Sequence, residues 1–150
     1  MMKLLNRGFT LTELILTTAI LVFALTGLLM LFINCLILNE SNRNLTIAIS
    51  HAEYAMENIK NAGSIENIRN KINNGDWDLN TNGINNMGLQ ALTGESITTC
   101  CCVPPCTQAN PCLGSCPSGT NPLGIYLRVD WQDRNQRARN ICLSTLFTNY

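Results

Sequence analysis

Leu14 to Leu38 reads LILTTAILVFALTGLLMLFINCLIL, a run of 25 residues without a charged side chain. An α-helix of this length extends about 37 Å at about 1.5 Å per residue, which exceeds the roughly 30 Å of a bilayer's hydrocarbon core. The run therefore predicts one helix that crosses a membrane. The remaining sequence is far more polar, with nine asparagines between residues 61 and 86, and needs a separate interpretation.

The residues that flank this run predict its orientation. Lys3 and Arg7 precede it, whereas Arg43 is the only basic residue close behind it. Basic residues near a membrane helix are retained on the cytoplasmic side. We therefore expect the N-terminus in the cytoplasm and the residues beyond position 38 on the exported side. The run does not end in the small-x-small site at which a secretory signal is cut.

Glu13 lies one residue before the apolar run. A charged side chain in a membrane is disfavoured by about 3 kcal/mol near the bilayer centre and by less toward the interface, so an acid here indicates a functional partner. The alternative is an interfacial glutamate at a helix N-terminus, which the helix dipole favours. Glu13 alone leaves both interpretations open.

Residues 7–15, Arg-Gly-Phe-Thr-Leu-Thr-Glu-Leu-Ile, closely resemble the prepilin motif of type IV pilins and pseudopilins. In this family a membrane peptidase cuts after the glycine and methylates the new N-terminal amine. The resemblance implies cleavage between Gly8 and Phe9, N-methylation of Phe9, and neutralisation of a neighbouring subunit's amine by Glu13 during assembly. It also implies a single-pass precursor in the bacterial inner membrane with a periplasmic head, and later a pilus or pseudopilus filament.

The apolar run departs from that of many major pilins, which carry a proline near its middle. Residues 14–38 contain none, and Met30 stands near that position. Gly27 is the weakest point for a helix, at a cost of about 1 kcal/mol relative to alanine. Residues 52–60 resemble a segment of PilV-type minor pilins and of one class of pseudopilins, but they equally suit a solvated acidic face opposite a core stripe. The resemblance therefore favours a minor pilin or a pseudopilin.

Apolar residues continue beyond the run at helical spacing. Steps of three and four residues are typical of an amphipathic helix, and such steps connect Leu45, Ala48, Ile49, Ala52, Ala55, Met56 and Ile59. Asn61-Ala62-Gly63 is a C-terminal helix signal. We therefore expect one helix from Phe9 to about Asn61.

The C-terminal part of the chain predicts a short helix and a β-hairpin. Ser64 is a candidate N-cap and Gly75 a stop signal for a helix with isoleucines on one face: Ile65, Ile68 and Ile72. Residues 76–99 contain turn signals but no assignable strand pairing. Residues 125–132 alternate between apolar and polar side chains, residues 133–136 suit a turn, and residues 137–145 suit a second strand.

Together these patterns predict an α+β fold, in which a long N-terminal helix carries a small C-terminal antiparallel β head. We expect four segments along the chain. They are a prepilin leader over residues 1–8, a transmembrane and assembly half of the helix over 9–38, an amphipathic half over 39–61, and a Cys-rich head over 62–150. The leader is implied by the pilin resemblance.

Six of the eight cysteines fall within 17 positions, and with Cys142 they give seven disulfide candidates: Cys100, Cys101, Cys102, Cys106, Cys112, Cys116 and Cys142. An exported head is in an oxidising environment, where disulfides form. A small head also buries too little apolar surface to be stable without cross-links. Because seven is odd, at least one thiol is free or paired to another chain. A metal site is the alternative, but the cluster has no C-x-x-C pair and no nearby histidine.

Composition and charge argue against several other functions. The ten basic residues balance the ten acidic ones and form no run, so nucleic acid is not an expected partner. His51 is the only histidine, and we expect it in a surface or packing role. Without a nucleophile–base pair or a phosphate-binding glycine loop, we expect neither an enzyme nor a bound cofactor or metal.

The sequence therefore supports one leading hypothesis and two alternatives. The first is a structural subunit of a type IV pilus, in the minor class, whose partners are prepilin peptidase, other pilin subunits, the assembly machinery and, before assembly, inner-membrane lipid. The second is a pseudopilin of a type II secretion or DNA-uptake system. The third is a membrane-anchored metal or redox protein, in which the helix is only a tether.

Overall fold

The computed structural model describes residues 10–102, 112–113 and 115–148. The chain divides into two compact units, Met1–Ser41 and Asn42–Tyr150. The elements in chain order are α1 Leu11–Lys60, α2 Ile65–Asn74, β1 Leu79–Asn80, α3 Thr81–Asn86, β2 Ser96–Cys102, β3 Leu123–Gln132 and β4 Ala138–Phe147. A long N-terminal helix and a small antiparallel sheet confirm the predicted α+β layout.

Helix α1 is continuous through Gly27, the predicted weak point, and through Met30. It ends as its sequence predicts. The Asn61 amide still donates to the Glu57 carbonyl at 2.9 Å, and Gly63 then takes a positive φ of 89°, a conformation that side chains with a Cβ disfavour. Phe9, the expected first residue of the helix, lies outside the described residues.

In the second unit, one stripe of α1 forms part of the core. Of the seven residues that the helical spacing predicted, Leu45 is 40% exposed and Ile49 is only partly buried, whereas five are buried: Ala48, Ala52, Ala55, Met56 and Ile59. Three of the five are alanines, whose small side chains allow the sheet to approach the helix closely. The stripe belongs to one core cluster with the inward residues of β3.

Helix α2 matches its predicted limits. The Ser64 hydroxyl caps it by accepting from the Asn67 amide at 3.3 Å, and Gly75 ends it with a φ of 73°. Its three isoleucines at positions 65, 68 and 72 are buried in the same core. Capping and amphipathic spacing therefore suffice to explain this helix.

The sheet has the order β1-β2-β3-β4, with every neighbouring pair antiparallel. Strand β3 is central: Leu127 lies opposite Thr99 of β2 on one side and Leu143 of β4 on the other. Its alternate residues face the core, as predicted: Leu123, Ile125, Leu127, Val129 and Trp131. The β3–β4 hairpin is longer than predicted at its outer ends, which lie at residues 123 and 147.

A buried hydrogen-bonded pair connects α1 to the turn before β2. His51 Nδ1 lies 2.8 Å from Glu95 Oε1, and both side chains are almost completely buried. The second carboxylate oxygen of Glu95 accepts from the Leu92 amide at 2.6 Å, and the Thr81 hydroxyl donates to the Glu95 carbonyl at 3.0 Å. His51 is therefore buried, which agrees with the packing alternative expected from the sequence and not with the surface one, and its partner Glu95 was not anticipated.

Replacing His51 should destabilise the protein strongly. His51→Leu leaves the Glu95 carboxylate buried without its partner, and loss of one member of a buried pair costs about 3–5 kcal/mol. Urea unfolding of the detergent-solubilised chain, followed by tryptophan fluorescence, measures this loss. Glu53→Gln, an exposed change on the same helix, is the control, and equal midpoints for the two variants would contradict a stabilising pair.

Candidate assembly segment and disulfide face

Glu13 lies in the first turn of α1, where the helix begins. The Glu13 amide donates to the Thr10 carbonyl at 3.0 Å, and the Glu13 carbonyl accepts from the Thr17 hydroxyl at 2.9 Å. Its backbone is thus part of the helix, while its side chain is exposed. Among the described residues it has no ion-pair partner. A carboxylate in this position is favoured by the helix N-terminus and remains available to a cation from outside the described residues.

The first unit presents apolar side chains around the whole circumference of α1. Between residues 11 and 38 the large apolar side chains are 41–84% exposed, with Phe23 at the upper limit. At about 25 cal/mol per Å², such a surface is strongly unfavourable in water. The segment is long and apolar enough to cross a membrane.

The threonine hydroxyls of this segment are satisfied within the helix. The hydroxyls of Thr17, Thr18 and Thr26 each donate to a backbone carbonyl three or four residues earlier, at 2.9–3.1 Å. A lipid environment requires this, because each unsatisfied polar group in hydrocarbon costs several kcal/mol. The three threonines of residues 14–38 therefore suit a membrane in their hydrogen bonding.

The head carries disulfides on β2. Cys100 is bonded to Cys112 and Cys101 to Cys116, and Cys102 is also disulfide-bonded. Because consecutive strand residues point to opposite faces, these bridges anchor the segment after β2 to both faces of the sheet. Cys106, the other predicted candidate in this cluster, lies outside the described residues.

Cys142 on β4 has a free thiol, although it was among the disulfide candidates, and Cys35 in the apolar run is free as well. Cys142 packs against a small second cluster on the sheet face opposite α1, formed by Cys100, Cys102 and Tyr126. Burial there raises the pKa of Tyr126 to about 12, with further contributions from a hydrogen bond to Cys142 and from the charge of its thiolate form. The neutral Tyr126 hydroxyl is therefore the form that the fold accommodates.

A polar cleft of about 400 Å³ lies between the end of α2, β2 and the residues around Cys112. Two of its polar side chains are already bonded to backbone: Asp78 Oδ1 accepts from the Thr99 amide at 2.7 Å, and Asn73 Oδ1 accepts from the Cys116 amide at 2.8 Å. Asn73 thus holds the disulfide-linked segment in place, and Asp78 holds strand β2. Within the described residues, no group of three or more His, Cys, Asp or Glu side chains could hold a metal ion.

Removing the Cys101–Cys116 bridge should destabilise the head. Loss of a native disulfide from a small exported domain typically costs about 2–5 kcal/mol. We expect Cys101→Ala/Cys116→Ala, and separately the addition of a phosphine reductant, to lower the melting temperature measured by circular dichroism. Cys142→Ala, which removes a thiol outside any disulfide, is the control. An unchanged melting temperature with reductant would argue against disulfide stabilisation.

Tyr126 should make the protein sensitive to alkali. Its folded-state pKa of about 12 exceeds the ordinary value of 10.0, so its contribution to stability is complete below pH 10 and is lost as the pH rises toward 12. NMR titration of ring-labelled tyrosines, assigned with Tyr126→Phe, measures this pKa. Cys142→Ala should lower it without returning it to 10, because burial is the largest cause, and Cys35→Ala should leave it unchanged. A Tyr126 that titrates normally would refute the prediction.

Of the residues predicted to act in processing and assembly, only Glu13 lies within the described part of the chain; Gly8 and Phe9 lie outside it. No protein-family model, curated protein or solved structure matches this chain. A functional proposal must therefore rest on the residues and on the geometry described above.

Proposed function

We propose that this chain is a structural subunit of a type IV pilus, in the minor class, that is cut between Gly8 and Phe9 and assembles through α1. The proposal rests on the exposed side chains of the first unit of the structure. There an exposed carboxylate in the first helical turn precedes 25 uncharged residues with apolar side chains exposed on every side. Such a helix needs a cation near its start and an apolar environment along its length.

Cleavage after Gly8 would supply the cation. The new N-terminal amine at Phe9 lies four residues before Glu13, and methylation leaves it protonated and positively charged. When helices pack side by side, the amine of one subunit and the carboxylate of its neighbour attract each other strongly at low dielectric, whereas either charge alone is costly there. Pairing between neighbours therefore favours helices in register.

A filament also accounts for the apolar surface. Lipid covers this surface while the subunit is in the membrane, but a subunit that leaves the membrane would expose it to water. Only apolar surfaces of other helices can then replace the lipid. The uncharged run thus suits both states, and the disulfide-bonded head suits the oxidising exterior.

A pseudopilin of a type II secretion or DNA-uptake system is the second candidate. The uninterrupted hydrogen-bonded helix across residues 14–38, where many major pilins have a proline, suits a pseudopilin and a minor pilin equally. Both candidates require the same processing and the same role for Glu13. Immunogold labelling of surface fibres separates them, since a pilus subunit should label extended fibres and a pseudopilin should not.

Co-expression with a prepilin peptidase should produce a chain that begins with N-methylated Phe9, because Gly8 offers no side chain to obstruct the peptidase. Intact mass and N-terminal sequencing measure this product. Gly8→Leu should block cleavage, while Gly27→Leu in the membrane run is the matched control and should be cut normally. An intact Met1 in the presence of active peptidase would refute the precursor hypothesis.

Glu13→Gln should separate processing from assembly. We expect normal cleavage but at least a tenfold loss of incorporation into filaments, because tenfold corresponds to about 1.4 kcal/mol and an unpaired amine in an apolar bundle costs more. Quantitative immunoblotting of sheared fibres measures incorporation, with Glu13→Asp expected to retain part of it. Incorporation of Glu13→Gln at the wild-type level would contradict the pairing role.

A further inference from the structure

Strand β4 forms an open edge of the sheet. It pairs with β3 over ten residues, from Ala138 to Phe147, and is last in the strand order. No strand of the described residues pairs with its other side, and β4 contains no proline. A long regular edge of this kind presents a row of backbone N–H and C=O groups that can bond to another strand.

A groove runs beside this edge on the face that α1 covers. It has a volume of about 440 Å³ and is lined by Glu53, Met56, Glu57 and Lys60 of α1 and by Leu143, Ser144 and Thr145 of β4. Residues Leu143 and Thr145 lie opposite core-facing residues of β3, so their side chains are on the groove side of the sheet. A strand added about 4.8 Å beyond β4 would direct every second side chain into this groove.

The groove has a definite chemical preference. Met56 and the half-buried Leu143 offer apolar contact. Glu53 and Glu57 lie one turn apart on the same helix face, and Lys60 balances only one of the two carboxylates. A side chain that enters beside them is therefore favoured if it is positively charged.

We propose that the β4 edge binds an extended strand of a partner protein, one that presents an apolar and a basic side chain opposite Leu143 and Thr145. Backbone hydrogen bonds along β4 would supply affinity, and the groove would select the strand. This surface is separate from the apolar run of α1. Binding at the β4 edge would therefore be additional to assembly through that helix.

A second copy of the chain is the competing occupant. In an antiparallel pair centred on Cys142, the partner copy's β4 would place its own isoleucine and arginine, from positions 141 and 139, opposite Leu143 and Thr145. The two-fold axis of that pair is perpendicular to the sheet, so it would also reverse the direction of α1. Copies anchored in one membrane share a helix direction, so they could not form this pair. Only this step rests on the proposed function.

The test uses the full chain in maltoside micelles and three capped peptides. The first is Thr-Val-Thr-Lys-Thr-Val-Thr, the second has Glu in place of Lys, and the third has Pro there. Hydrogen–deuterium exchange across residues 138–147 reports edge pairing, and fluorescence anisotropy reports affinity. We expect the Lys peptide to slow hydrogen–deuterium exchange of the β4 amides at least tenfold and to bind at least tenfold more tightly than the Glu peptide. We expect the Pro peptide not to bind.

Variants of the groove test its preference for a basic side chain. Glu53→Gln/Glu57→Gln should abolish most of the preference for the Lys peptide, while Asp76→Asn, an exposed acid that does not line the groove, should preserve it. Unchanged β4 exchange at saturating peptide, or equal binding of the Lys and Glu peptides, would overturn the proposal. Self-association that protects the same amides without peptide would also overturn it and would assign the edge to a second copy. Incorporation into filaments is measured separately, so a negative peptide-binding result would not contradict the proposed assembly through α1.

Discussion

The constraint on which the rest of the molecule depends is the apolar surface of the first unit. Its large side chains, from Leu11 to Leu38, are at least 41% exposed. Neither capping nor helix propensity compensates for such a surface in water; only lipid or the apolar face of another helix does. The threonine hydroxyls are bonded back to their own backbone, so they do not need water in either environment.

The second unit has the opposite problem, since its own apolar core is small. Its core consists of an alanine-rich stripe, three isoleucines of α2 and the inward face of one ten-residue strand. Two kinds of long-range link supplement this core. The disulfides attach the segment after β2 to the sheet, and the His51–Glu95 pair attaches α1 to the turn before β2. Both links limit the chain entropy that the small core would otherwise have to overcome alone.

Local patterns predicted the parts of the fold that depend on local physics. Helices α1 and α2 and the β3–β4 hairpin follow from periodicity, capping and turn residues. The apolar side chains that stabilise each of these elements recur along the sequence at spacings of two to four residues. The sequence does not predict strand β2, because its Thr- and Cys-rich residues do not alternate in polarity and its neighbours in the sheet are β3 and the two-residue β1. The cysteine cluster was expected to hold disulfides, but the pairing depends on which positions the fold brings within bonding distance.

The His51–Glu95 pair shows why buried polar residues are the hardest to anticipate. The two residues are 44 positions apart, so no sequence window contains both. A single histidine beside an apolar stripe has too few neighbours in sequence to indicate a partner, and packing is then the reasonable expectation. In the fold, however, burial makes a partner obligatory, because a polar side chain buried among isoleucines without a hydrogen bond is costly. Glu95, the residue before β2, therefore has three polar partners that the fold brings together: His51 of α1, the Leu92 amide and the Thr81 hydroxyl.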